Sequence, residues 1–327
     1  MVTSRRAFLA LGASAFAAPC ASLAQQYSSK IPHVAYLSQG SEADRGVFLG
    51  AFKEGLGEFG WIDGKNIVID VHWAAAYQFP QIAASLVKGN PAAIVGTCIP
   101  STRAAKNATS TIPVVMSVNG DPVESGLVAS LARPGANVTG TSTLFEELIP
   151  KWFELVTATI PNIRTVSVMA NPESVGDEYW WAQARQAAER VRLYVVRTEA
   201  HTPADFGREF ASMKKQRVEA FVLMIDAYFL NEMQRIVSLA NEYKLPGIYG
   251  FREYVEAGGL ISYGLSYRDY YKNVARYVDK VLRGVKPADL PVEQPTKIEL
   301  AINLASAKTI GLTIPQSLLV RADKVIQ

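Results

Sequence analysis

The chain has 327 residues, 49% hydrophobic and 19% charged, with a formal net charge of +3. That length allows two domains with sizeable cores, and the composition is that of an ordinary globular protein. Arg5 and Arg6 supply two of the positive charges, so +3 less these two leaves +1 for the remainder, too little to imply a nucleic-acid or acidic-membrane partner.

The N-terminus reads as an export signal. Thr3-Ser4-Arg5-Arg6-Ala7-Phe8-Leu9 is a twin-arginine pattern, and the apolar stretch from Ala7 to Ala18 is too short to span a bilayer. Ser22-Leu23-Ala24 puts small residues where a signal peptidase reads, so residues 1–24 are expected to be cleaved near Ala24, leaving the mature chain in the periplasm. Lys30 follows soon and no later segment is long and apolar enough to span, which argues against a retained anchor. Cys20 raises lipidation, but Pro19 just before it fits that pattern badly. With cleavage near Ala24 only Cys98 remains, and one thiol cannot form an intramolecular disulfide.

Ile31–Leu37 alternates as a first strand, and Ser38-Gln39-Gly40-Ser41 follows as a polar loop. A helix is expected over Val47–Phe59 with Gly60 in the C-cap position. Within it lies Gly55-Leu56-Gly57-Glu58-Phe59-Gly60, the literal spacing of a dinucleotide fingerprint. That chemistry needs the glycines directly after a strand and opening a helix, so that a pyrophosphate meets the helix N-terminus. Here they close one, so no nucleotide cofactor is expected. A strand over Ile67–Val71, a helix over Phe79–Lys88 and a buried strand over Ala92–Gly96 come next, and a helix begins near Ser101. Thr97, Cys98 and Ser101 therefore stand at a helix start, where amide donors and hydroxyls suit a carboxylate.

Ile112–Val118 is a short run rich in β-branched residues, suited to a parallel strand covered on both faces. Asp121, Pro122 and Glu124 then have the spacing of an N-cap, a first-turn proline and a capping box, predicting a short helix. In an open α/β sheet, ligands bind beyond the carboxyl ends of strands, so Asn119, Gly120 and Asp121 stand where a ligand would be. Asp121 can cap the helix, meet the ligand, or do both.

Gly120-Asp121-Pro122-Val123, Ser125 to Gly135 and Asn137-Val138-Thr139-Gly140 closely resemble the tryptophan/tyrosine-type substrate-binding proteins of ABC transporters. Further matches are Gly258 to Gly264, Pro287 to Thr296, Ile302-Asn303-Leu304 and Arg321-Ala322-Asp323, so the resemblance covers nearly the whole mature chain. It implies a periplasmic-binding-protein fold with a small molecule in the cleft and an ABC permease in the inner membrane as partner. It does not fix the ligand. Members of that family carry a small hydroxyl or glycine near the place of Cys98, so the thiol marks either an altered pocket or a small buried residue.

The second half continues the alternation. Thr141 to Leu144 crosses to a second lobe, followed by a helix Leu148–Thr159, a strand Val166–Met169 with Asn171 at its polar end, a helix Tyr179–Val191 and a strand Leu193–Arg197. A helix from Pro203 to Lys214, a buried strand Ala220–Ile225 ending at Asp226, and a helix Asn231–Tyr243 lead to Pro246-Gly247-Ile248-Tyr249 and Phe251. Ser262-Tyr263-Gly264 reads as a second crossing that returns a helix Tyr267–Arg283 to the first lobe, and Leu290–Thr296 as a third. A closing helix is expected over Leu300–Ile310, ended by Gly311.

The fold class expected is α/β: two doubly wound lobes joined by hinge strands, the first from 28–141 with 265–290, the second 142–263, and a hinge-crossing C-terminal segment 291–327. Such lobes can close over a ligand by rotation. The strand-end residues fit an amino-acid-like solute. Hydroxyls and amides at Ser38, Thr97, Ser101 and Thr143 suit a carboxylate; Asp121 or Asp226 suits an ammonium group; Gln39, Cys98, Asn119 and Asn171 point into the cleft; and Tyr228, Phe229, Tyr249 and Phe251 suit an aromatic ring or the core. His33, His72 and His201 are scattered, and no zincin helix, paired CxxC, P-loop or nucleophile elbow occurs, so neither an enzyme nor a metal or cofactor is expected. The protein is expected to be a monomer that serves a permease, with a ligand-sensing receptor module as the contrasting reading.

Overall fold

The computed structural model describes residues 31–327 apart from Val175 and Thr296, and the expected export signal with Cys20 lies outside the described residues. The chain alternates through β1 (His33–Gln39), α1 (Glu42–Glu58), β2 (Val68–Ala74), α2 (Phe79–Lys88), β3 (Ala93–Gly96), α3 (Ile99–Ala108) and β4 (Val114–Asn119), and reaches β5 (Val138–Thr143) without a helix between. These strands form a parallel sheet in the order β2-β1-β3-β4-β5. Period-two alternation divides the strands between two cores. Val34, Tyr36 and Val95 pack with α1 on one face, while Ala35, Leu37 and Ile94 pack with α2 and α3 on the other.

The second sheet repeats this winding. After α4 (Ile149–Thr159) come β6 (Thr165–Ala170), α5 (Asp177–Arg190), β7 (Tyr194–Glu199), α6 (Pro203–Lys215), β8 (Ala220–Leu223), α7 (Ala227–Asn231), α8 (Met233–Glu242), β9 (Gly247–Phe251), α9 (Arg252–Glu256) and β10 (Ile261–Leu265). Their order is β7-β6-β8-β9-β10, again parallel. The chain then crosses back as α10 (Tyr267–Leu282), which packs against α1 and the first sheet, and returns through β11 (Glu299–Asn303), α11 (Leu304–Ile310), α12 (Gln316–Leu319) and β12 (Lys324–Ile326). β11 lies antiparallel to β10, and β12 parallel to β11. Beside β5 the returning chain is extended: Glu293 N–H donates to Gly140 O (3.0 Å), and Ser142 N–H donates to Glu293 O (3.0 Å).

The apparent fingerprint glycines have a packing explanation. A methyl group on Gly55 would lie 2.7 Å from Cα of Lys272, so Gly55 lets α1 and α10 touch backbone to backbone. Gly60 ends the turn after α1 in the left-handed region, at φ +87°.

Two local expectations are corrected. No helix follows Asp121: Gly126 turns left-handed at φ +69°, and the amides of Leu127 (2.8 Å) and Val128 (3.2 Å) both donate to Pro122 O, leaving a compact turn. The helix expected over Leu300–Ile310 starts only at Leu304, because Glu299–Asn303 pairs with β10 and buries Leu300 and Ile302 in the second core; tertiary pairing overrides local propensity. The helix expected over Asn231–Tyr243 is present as α8, and the short α7 precedes it, started by Asp226, which accepts from the amides of Tyr228 (2.8 Å) and Phe229 (3.4 Å).

Candidate functional site

Each sheet reverses its winding beside its first strand, and a crevice opens there at the strand carboxyl ends. The ends of β1, β3 and β4 face those of β8 and β9 across one cavity of about 560 Å³, which α10 also lines. That size is ordinary for a small-molecule site.

Of the expected residues, Gln39, Thr97, Cys98, Asn119, Asp121, Thr143 and Asp226 line the cavity. Ser38 and Ser101 lie behind the wall, 1% and 0% exposed. Asn171 stands behind Asp226, its Nδ2 donating to Asp226 Oδ1 at 3.4 Å. Tyr249 lies in the core instead, stacked on Tyr254 with ring centroids 4.7 Å apart. Tyr228 and Phe229 also pack in that core, whereas Phe251 reaches the cavity.

The hydroxyls of the first-lobe wall are engaged with one another. Thr97 Oγ1 donates to Ser38 Oγ (2.8 Å). Cys98 N–H donates to Ser101 Oγ (3.1 Å), which donates back to Cys98 O (3.0 Å), a reciprocal cap at the start of α3. Thr143 Oγ1 donates to Asn119 Oδ1 (3.2 Å), an atom that also accepts from Phe145 N–H (3.3 Å). Asp121 Oδ1 accepts from the amides of Val123 (2.7 Å) and Glu124 (3.1 Å), so it caps a turn and not a helix.

Asp226 is the centre of the second-lobe wall. Beyond the α7 amides and Asn171 on Oδ1, its Oδ2 accepts from Ser174 Oγ at 2.7 Å. These donors are all neutral, and among the described residues no cation pairs with it. The carboxylate is thus held in place with its charge uncompensated, facing the cavity.

An aromatic wall completes the site, and most of it was not expected from sequence. Phe48 stacks on Tyr271 (5.0 Å between centroids) and meets Tyr267 edge-on (6.1 Å); Phe251 meets Phe145 (5.8 Å) and Tyr267 (6.0 Å) edge-on. Trp152 lines the same cavity, with its indole N–H donating to Tyr263 O at 2.7 Å. Ser117 Oγ donates to Tyr270 OH at 3.3 Å. Burial raises both the Tyr270 and Tyr271 phenols above the usual tyrosine range, so both stay neutral donors at physiological pH. The overlooked signal was Tyr267, Tyr270 and Tyr271: positions i, i+3 and i+4 share one face of a helix that begins directly after a crossing strand. Arg45, on the first turn of α1, also lines the cavity and carried no comparable signal.

A family model described as ABC transporter substrate binding protein matches residues 43–326. The chain belongs to that family. The substrate-binding chain is 30% identical over 264 residues to a "Tyrosine-binding protein" of Clostridioides difficile (strain R20291), covering 80% of this chain and 75% of that one. A crystal structure of a conserved domain protein from Vibrio cholerae aligns at TM-score 0.69 with 29% identity, over 90% of this chain and 100% of the other. The structure of an ABC domain in complex with L-Trp from Streptococcus pneumonia aligns at TM-score 0.67 with 26% identity, over 90% and 99%. The fold of this substrate-binding protein is therefore two type I periplasmic-binding-protein-like α/β lobes, as the two parallel-dominated sheets are.

Proposed function

We propose that this chain is the exported solute receptor of an importer and that its ligand is an aromatic α-amino acid of the tyrosine or tryptophan kind. One observation carries the reading: the cavity between the sheets sets the uncompensated Asp226 carboxylate opposite a wall of stacked rings. An ammonium group completes the charge at Asp226, and an aromatic side chain gains edge and face contacts with Phe48, Tyr267 and Phe251. The relatives whose names specify tyrosine and L-Trp support the same ligand class.

The lobes divide at the crossings near 141–144, 263–266 and 291–298. Ligand bound to both walls favours the closed arrangement, because it meets Asp226 and the first-lobe wall together only when they approach. The closed protein hands the solute to an inner-membrane permease. It is not an enzyme on this reading, works as a monomer, and reaches the periplasm by cleavage near Ala24 of the Arg5–Arg6 export signal.

A thermal-shift screen of the chain from Gln25 against the common amino acids tests the ligand class. Ligand at a hundredfold over its dissociation constant stabilises by about 2.7 kcal/mol. Shifts with tyrosine or tryptophan are expected; shifts confined to aliphatic or acidic solutes would overturn the aromatic assignment.

A further inference from the structure

The charges on the cavity wall are unequal. Asp121, Glu124, Glu146 and Asp226 contribute carboxylates, whereas Arg45 contributes the one cation among the described lining residues. Arg45 makes no ion pair with any described residue. A half-buried guanidinium on a cavity wall with no carboxylate of its own is open to an anionic group of a ligand.

The anion it fits follows from what the rest of the wall has left to offer. Three of the hydroxyls expected to suit a carboxylate donate within the wall, Thr97 to Ser38 (2.8 Å), Ser101 to Cys98 (3.0 Å) and Thr143 to Asn119 (3.2 Å), which leaves the Tyr270 and Tyr271 phenols as neutral donors beside the one cation. At the start of α3, the Cys98 amide is bound to Ser101 and Pro100 has no N–H to give. The helix terminus therefore offers a carboxylate no more than the Ile99 amide and no full charge. Arg45 lines the same cavity: β1 and β3 are neighbouring strands, and the first turn of α1 after β1 and the N-cap of α3 after β3 carry Arg45 and Cys98 to its wall. The Tyr271 phenol, which lines the same cavity, feels the charge of Arg45, which places the two groups in one neighbourhood.

We infer that Arg45 is the residue through which the site demands a carboxylate, taking that group of the ligand from the first lobe while Asp226 takes the ammonium group from the second. The assignment rests on the aromatic amino acid reading and adds its specificity: the cognate amine, which lacks the carboxylate, is rejected. It also gives the ligand a separate ionic hold on each lobe.

The test is isothermal titration of the wild type, Arg45→Met and Arg45→Lys with L-tyrosine and L-tryptophan, and with tyramine and tryptamine. Arg45→Met is expected to weaken the amino acids by about 10- to 100-fold, the size of a lost charge-assisted contact, while the amines change by less than about threefold. Arg45→Lys, which keeps the charge and loses the planar fork, is expected to recover part of the loss. Unchanged thermal unfolding of the unliganded variants shows that the fold is intact. Equal losses for acid and amine, or no loss for the acid, would overturn the role of Arg45 and leave the ligand class standing. A wild type that binds neither acid would instead overturn the ligand class, and the Arg45 assignment with it.

Discussion

Replacing Asp226 by Asn separates its two tasks. Asn keeps an acceptor oxygen for the amides of Tyr228 and Phe229, and the Ser174 hydroxyl can turn to accept from the new amide in place of donating at 2.7 Å. The α7 cap survives, so unfolding stability should fall by less than about 1 kcal/mol. The negative charge does not survive. A hydrogen bond to a charged partner contributes about 1.5–3 kcal/mol, so affinity for the amino acid should drop by about 10- to 150-fold. Asp226→Ala is the contrast: it removes the cap and leaves Ser174 Oγ and the two amides without their acceptor, adding about 1–2 kcal/mol of instability to the same loss of binding. Titration calorimetry reads the affinity and urea unfolding reads the stability. An Asn variant that binds within about threefold of wild type would refute the ammonium assignment, since only the charge has changed.

The glycines of α1 should behave oppositely. Gly55→Ala drives a methyl group to 2.7 Å from Lys272 Cα and should cost about 1–3 kcal/mol, whereas Gly57→Ala meets nothing within 4 Å and should stabilise by about 0.4–1 kcal/mol; urea midpoints compare the two. Glu253 is 4% exposed, and burial raises its carboxyl above the ordinary range even though Oε1 accepts from Ser266 Oγ at 2.6 Å. A raised folded-state value means that its contribution is fully present below the unfolded value and is lost as pH rises through the folded one. Glu253→Gln should accordingly gain stability relative to wild type as pH rises above the ordinary glutamate range, and a pH-independent difference would contradict this. Changing Arg5 and Arg6 together to Lys should leave unprocessed precursor in the cytoplasm, which fractionation with immunoblotting reports; normal processing would refute twin-arginine export.

The winding of both lobes could be read from sequence because most strands are short apolar runs followed by a polar end and a helix. Where the reading failed, long-range contacts decided. Leu300–Asn303 carries helix-compatible residues, yet β10 recruits it as a strand, and Asp323 Oδ2 accepts from Leu300 N–H at 2.8 Å to hold it there. The strand-end rule located Asp226 and Asn119 because position along a strand is a local property. It misplaced Tyr249, which shares the face of Phe251 on β9 but lies two residues, about 7 Å, deeper. Arg45, Phe48 and the α10 tyrosines enter the cavity from helices, and α10 arrives only after crossing back between lobes, so their meeting depends on packing that no single segment encodes.

A crystal structure of the chain from Gln25 with L-tyrosine would decide how the ligand sits in the cavity. The ligand is expected between the lobes, its ring against Phe48, Tyr267 and Phe251, and its ammonium group within hydrogen-bond distance of Asp226. An occupied cavity with the ammonium group turned away from Asp226, or L-tyrosine bound elsewhere on the surface, would contradict this.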